Sequence, residues 1–160
     1  MLSDVAKFDK IIPAILLISL LLINICLPLL MELLHIASVY YYISIETMKV
    51  RDIIKAVDGR VICGNDLDKD LTTGCSSDLM SDILTLEPVN AVLITGLANV
   101  QAVRTADMAG ISHILFVRDK PISKEMIALA EESGITLLET GLSMFVVCGK
   151  LAAEGLQGPY

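Results

Sequence analysis

The feature that most limits what this chain can fold into is a set of three evenly spaced apolar runs. AVLIT begins at 91, HILFV at 113 and ITLLE at 135, so each starts 22 residues after the one before. Each run is continuous rather than alternating, the pattern of a strand buried on both faces of a parallel sheet. The intervening segments carry helix signals. Asn99 can cap a helix that runs to about Ala109 and ends at Gly110. Ser123 caps another, preceded by Pro121, in which Ile122 can staple onto Ile127 before Gly134 stops it. Ser143 opens a last helix expected to bury Phe145, Cys148, Leu151 and Ala152. Strand–helix units repeated at this interval demand parallel strands with right-handed crossovers.

The same alternation starts at Met48. Val50, Ile53, Ile54 and Val57 fall at i, i+3, i+4 and i+7, an amphipathic helix closed by Asp58-Gly59, and RVIC (60–63) reads as a short strand. LTTGCSS (71–77) begins as a strand and turns into a polar loop. Ser77 then serves as N-cap for a helix with Leu79, Met80, Ile83 and Leu84 on its apolar side. The expected fold class is α/β: a compact domain of two or three layers with a mostly parallel sheet, spanning residues 48–160.

Residues 1–47 read differently. Ile11 to Met31 is 21 residues without a charge, enough helix to cross roughly 30 Å of hydrocarbon. Tyr40, Tyr41 and Tyr42 follow at a plausible headgroup boundary. Three readings stand open: a single-pass anchor placing the protein at a membrane, a native start at Met48, and a cleaved signal peptide. The last is disfavoured by the length of the apolar stretch and the lack of an A-x-A-like site. Lys7 and Lys10 on one flank and Lys49, Arg51 and Lys55 on the other leave the orientation of an anchor undecided.

This front segment explains a mean hydropathy of +0.70. It holds six of the charged residues, leaving ten basic and fifteen acidic ones in 48–160, where no two basic residues are adjacent. That balance excludes nucleic acid as a partner, because phosphate backbones are gripped by clustered Lys and Arg. The cysteines, at 26, 63, 75 and 148, show no two-residue spacing, so no structural metal, cluster or other cofactor is expected. They read as reduced small hydrophobes, with Cys75 the one placed for an exposed thiolate in its Gly/Ser loop. Asp66, Asp68 and Asp70 alternate without the glycine and distal glutamate of a calcium loop. They read as solvated loop acids, and His113 as a structural histidine.

No P-loop, dinucleotide fingerprint, nucleophile elbow or zinc-protease motif is present. What remains is placement. Ligands of parallel α/β sheets gather at the carboxyl ends of strands, where helix N-termini present free N–H groups. Three loops mix glycine with hydroxyl or amide side chains there. They supply Gly74, Ser76, Ser77 and Asp78; Thr95, Gly96 and Asn99; and Thr140. Each can hold a small polar or anionic ligand, and each is equally what a strand-to-helix turn requires. Arg104, a helical turn or so after Asn99, either supplies a positive charge there or is simply solvated.

GCSSDLMSDIL (74–84), VLITGLANVQAVRTADMAGI (92–111), ILFVRDKPI (114–122) and TGLSMFVVCGKLAAEGL (140–156) together resemble the DRTGG domain family. The resemblance covers 48–160 and none of 1–47, and the string SDLMSD at 77–82 is moderately specific. It implies a fold similar to the N-terminal, non-catalytic domain of HPr kinase/phosphorylase. Family members are free-standing at about this size, or fused to phosphotransacetylase, CBS-pair or cobyrinic-acid-synthase-like domains. Free-standing members are often encoded near iron-only hydrogenase and kinase components, which implies a cytoplasmic accessory role. The leading expectation is therefore a non-catalytic regulatory module, a homodimer, binding a small polar or nucleotide ligand. The alternatives are a protein-interaction subunit of a hydrogenase or metabolic assembly, and an enzyme using Asp78 and Asp82 with a metal.

Overall fold

The computed structural model describes residues 27–28, 31–35 and 47–159. The chain divides into two units, Met1–Ile45 and Glu46–Tyr160. Of the first, residues 27–28 and 31–35 are helical and exposed. No helix among the described residues is long and apolar enough to cross a membrane. The apolar stretch 11–31, apart from 27–28 and 31, lies outside the described residues, as do the three tyrosines.

The described residues of the second unit form seven strands and five helices. In chain order they are β1 (Met48–Lys49), α1 (Val50–Ala56), β2 (Arg60–Cys63), β3 (Asp70–Leu71), β4 (Thr73–Ser76), α2 (Met80–Ile83), β5 (Ala91–Thr95), α3 (Val100–Met108), β6 (His113–Phe116), α4 (Lys124–Ser133), β7 (Thr136–Glu139) and α5 (Met144–Ala153). Five strands form one sheet in the order β2-β7-β6-β5-β4. β4 to β7 are mutually parallel and β2 is an antiparallel edge strand. β1 and β3 make a separate antiparallel pair.

The continuous apolar runs are buried on both faces, as expected of parallel strands under helices. Leu93, Ile114, Phe116 and Leu137 face one way and pack with Ile83, Val103, Met126 and Ala130, from α2, α3 and α4. Val92, Ile94, Leu115 and Leu138 face the other way and pack with Ile53, Val147 and Leu151, from α1 and α5. The domain is therefore three-layered. Because β4, β5, β6 and β7 neighbour one another in chain order and their three connecting helices share one face, the crossovers have one hand.

The capping expectations hold at three helices. The side chains of Asn99, Ser123 and Ser143 accept from the backbone N–H of Ala102, Met126 and Val146. Gly134 ends α4 in the left-handed conformation, the αL stop that glycine allows without a Cβ clash.

Four expectations are corrected. β4 extends through Ser76, so Gly74 and Ser76 lie in a strand and not in a loop. The helix after it is a single turn with no side-chain cap. Ser77 instead accepts from the N–H of Leu79, two residues on, and Leu79 and Leu84 are exposed. In α5 the buried stripe is Val147 and Leu151, while Phe145 is 88% exposed and Ala152 also faces solvent. A Ser143 cap puts Phe145 at the second helical position, on the outer side of the first turn. Cys75 is fully buried in the core, and burial pushes its thiol above the ordinary value. It is not an exposed thiolate.

Candidate functional site

A cavity of about 420 Å³ opens at the β4 edge of the sheet, between the two helical layers. β4 supplies Gly74 to Ser76, and Ser77 follows; α2 supplies Asp82 and Ile83; α5 supplies Cys148, Leu151 and Ala152. The fourth wall is the chain after α5. Gln157 forms a parallel bridge with Thr73, and Leu156, Gln157, Gly158 and Pro159 all border the space. The tail packs close here: a Cβ at Gly74 would come within 2.8 Å of Leu156 Cδ2, the end of a side chain that would have to shift. Among the described residues the lining is largely apolar, with one carboxylate, Asp82, and no basic side chain.

A second polar cluster lies at the carboxyl ends of β4, β5 and β6. Asp78 accepts from the Gly96 N–H at 2.6 Å, the Thr95 hydroxyl at 3.0 Å and the Arg118 guanidinium at 2.9 Å. Partial desolvation is the largest single influence on Asp78 and pushes its carboxyl up. The Gly96, Thr95 and Arg118 donors together outweigh it, so Asp78 sits below the usual carboxylate range. Arg118 reaches this place through the backbone. It and Asp119 are both left-handed, with φ of 69° and 47°, and the Arg118 N–H bonds to Leu142 O. The turn folds the guanidinium over Gly96, where any Cβ would collide with it.

The residues singled out in the sequence therefore separate into groups. Gly74, Ser76 and Ser77 border the cavity. Asp78, Thr95 and Gly96 converge, but on one another and Arg118. Asn99 is committed to capping α3. Thr140 is buried, donating to Val57 O and accepting from the Leu142 N–H, so it ties β7's end to α1. Arg104 is exposed on α3 and makes no hydrogen bond or ion pair among the described residues; the cation at the strand ends is Arg118. Asp82 lines the cavity, whereas Asp78 is turned to Arg118. His113 is buried, with Nδ1 on the Ser112 hydroxyl and Nε2 on Asp66 O. Since a carbonyl can only accept, Nε2 carries the proton and Nδ1 accepts from serine. Burial, above all, holds its pKa below the ordinary value.

Sequence reasoning missed Arg118, Gln157 and Pro159. Arg118 follows a strand without any glycine or spacing that marks it. The two tail residues gain their place only because Gln157 pairs with Thr73, 84 positions earlier.

No family model matches this chain, and no curated protein matches it. Among solved structures it is similar to the CBS and DRTGG domains of the regulatory region of Clostridium perfringens pyrophosphatase, crystallised with the activator diadenosine tetraphosphate. The TM-score is 0.56 at 15% identity, over 64% of this chain and 45% of that one. The likeness is one of fold. This chain spans less than half the length of the clostridial one.

Proposed function

We propose that residues 48–160 are a DRTGG-type regulatory module, without catalytic chemistry of their own, that binds a small ligand in the cavity at the β4 edge and acts on a partner metabolic or redox enzyme. The cavity carries this reading. Its volume of about 420 Å³ lies in the range of small-molecule sites, which are mostly apolar with a few placed polar groups. Here those groups are Ser76, Ser77, Asp82 and Gln157. The clostridial regulatory region of similar fold, complexed with a nucleotide activator, supports a ligand of nucleotide kind. With no basic side chain in the lining, a phosphorylated ligand keeps its charge outside the cavity.

The test is a thermal-shift panel of nucleosides, nucleotides and small phosphates on the full chain. A ligand at 100 times its Kd adds about 2.7 kcal/mol, a rise of several degrees for a domain of this size. Ala152→Trp, which fills the cavity from its exposed rim, is expected to abolish the rise. Silence across the panel, or a rise that survives Ala152→Trp, overturns the reading.

The alternative, a protein-interaction subunit, is supported by one observation: Phe145 is 88% exposed, with the half-exposed Val146 beside it. Phe145→Ser is expected to dissociate such an assembly, as read by light scattering.

A further inference from the structure

The edge of β4 is left chemically open beside the cavity. β4 is parallel to β5, with Thr73 N–H bonded to Asn90 O and Ser77 N–H to Ile94 O. In a parallel ladder one residue in two turns both its backbone groups to the same neighbour, so Gly74 and Ser76 face the outer edge; just before the strand, Thr72 N–H donates to Asn90 O at 2.9 Å and only its carbonyl turns outward. The returning chain pairs with the first part of that edge: Gln157 N–H donates to Thr72 O at 3.1 Å, and Gly74 N–H donates to Gln157 O at 2.8 Å.

The next rung of the same register needs residue 159 to donate to Gly74 O and to accept from Ser76 N–H. Residue 159 is proline and has no N–H to give. The ladder stops there. Facing away from β5, Gly74 O and Ser76 N–H have no partner among the hydrogen bonds outside the sheet ladder of the described residues, and both residues line the cavity.

The result is one acceptor and one donor, side by side on a rigid strand. Ile83 and Leu86 wall it from one helical layer, and Leu151 and Leu156 from the other. A flat ring fits between apolar walls, and its edge must carry a donor next to an acceptor. The 6-amino group and N1 of an aminopurine are such a pair. Asp82, on the same lining, is a carboxylate suited to accept from ribose hydroxyls, and the absence of a basic side chain matches an uncharged base and sugar. An extended peptide is a poorer fit, because only one rung remains open and the chain from Gln157 to Pro159 occupies the edge before it.

We infer that the cavity recognises the aminopurine end of a nucleoside or nucleotide, the base bonding to the Gly74 carbonyl and the Ser76 N–H. This rests on the cavity being the ligand site, as proposed above.

Isothermal titration of the full chain with adenosine tests it. N6,N6-dimethyladenosine, which lacks the amino donor, is expected to bind about tenfold more weakly, the loss of one hydrogen bond to a group left unpaired. Ser76→Pro removes the N–H without touching the ladder to β5 and is expected to weaken adenosine by a similar factor. Ser76→Ala keeps the N–H and is expected to weaken adenosine less than Ser76→Pro does. If Ser76→Pro does not fold, the two adenosines on the unaltered chain still decide the matter. Equal binding of both, or equal damage from Ser76→Ala and Ser76→Pro, overturns the inference. So does an extended peptide that binds where adenosine does not. If adenosine is silent while another compound gives a thermal rise abolished by Ala152→Trp, the purine assignment falls and the ligand module stands. If nothing gives a rise, both fall.

Discussion

Gly64 and Gly96 both lack room for a side chain, but for reasons of different weight. Gly64 has φ of +90°, and a Cβ there would meet the Thr136 side chain and Cα at 2.5–2.9 Å. Neither backbone strain nor a clash with β7 can be relieved by a rotamer change. Gly64→Ala is therefore expected to cost about 3 kcal/mol, combining left-handed strain and overpacking. At Gly96 the obstacle is the far end of Arg118, a flexible and half-exposed side chain that can swing into water. Gly96→Ala loses its pairing with Asp78, an exposed interaction worth less than about 1 kcal/mol. Urea unfolding of the two variants checks the contrast, and equal losses would refute it. Neither crowding is legible in the sequence, where Gly96 stands out only as a loop glycine and Gly64 as a glycine after a short strand.

Elements differ in how far local chemistry specifies them. α3 has a capping side chain, Asn99 on Ala102 N–H, and three alanine or valine positions buried on one face. Asn99→Ala should cost about 1 kcal/mol, the usual worth of an N-cap. Ser77, which the sequence marks just as plainly, caps no helix. It closes a turn onto Leu79, and Ser77→Ala should stay within about 0.5 kcal/mol. Denaturant midpoints of the two alanine variants measure the difference. β4 keeps its register with β5 through Ser76, and the helical turn that follows begins only at Met80, after Leu79 and not after Ser77.

At the scale of the whole molecule, His113 joins the central strand β6 to the 64–69 loop, since its Nε2–H reaches Asp66 O from 47 positions away. Its folded pKa lies below the ordinary value, so the unfolded chain binds this proton first as the pH falls. Stability is therefore expected to drop as pH falls through about 6.5, and the drop ends once the folded histidine also protonates. Urea midpoints at pH 7.5 and 5.0 should differ, and His113→Gln should shrink the difference. Asp78 does not confuse the measurement. Its carboxyl is depressed, so its contribution is present above about pH 4 and lost only below that.

The layered α/β architecture, the parallel strands at 91, 113 and 135 and the caps Asn99, Ser123 and Ser143 were all legible in the amino-acid order. Each depends on interactions within a few residues, or on a periodicity that shows which side of an element must be dry. The cavity was legible only in part. Gly74, Ser76 and Ser77 stood out as a polar loop, but that they form a strand edge follows from pairing with β5. That the next rung lacks a donor depends on Pro159 standing two residues after Gln157, which bridges to Thr73. Contacts between distant segments are selected by the packing of the whole domain, and no local signal carries them. The order of residues decided which segments would be buried, and tertiary structure alone decided which backbone groups would be left without a partner.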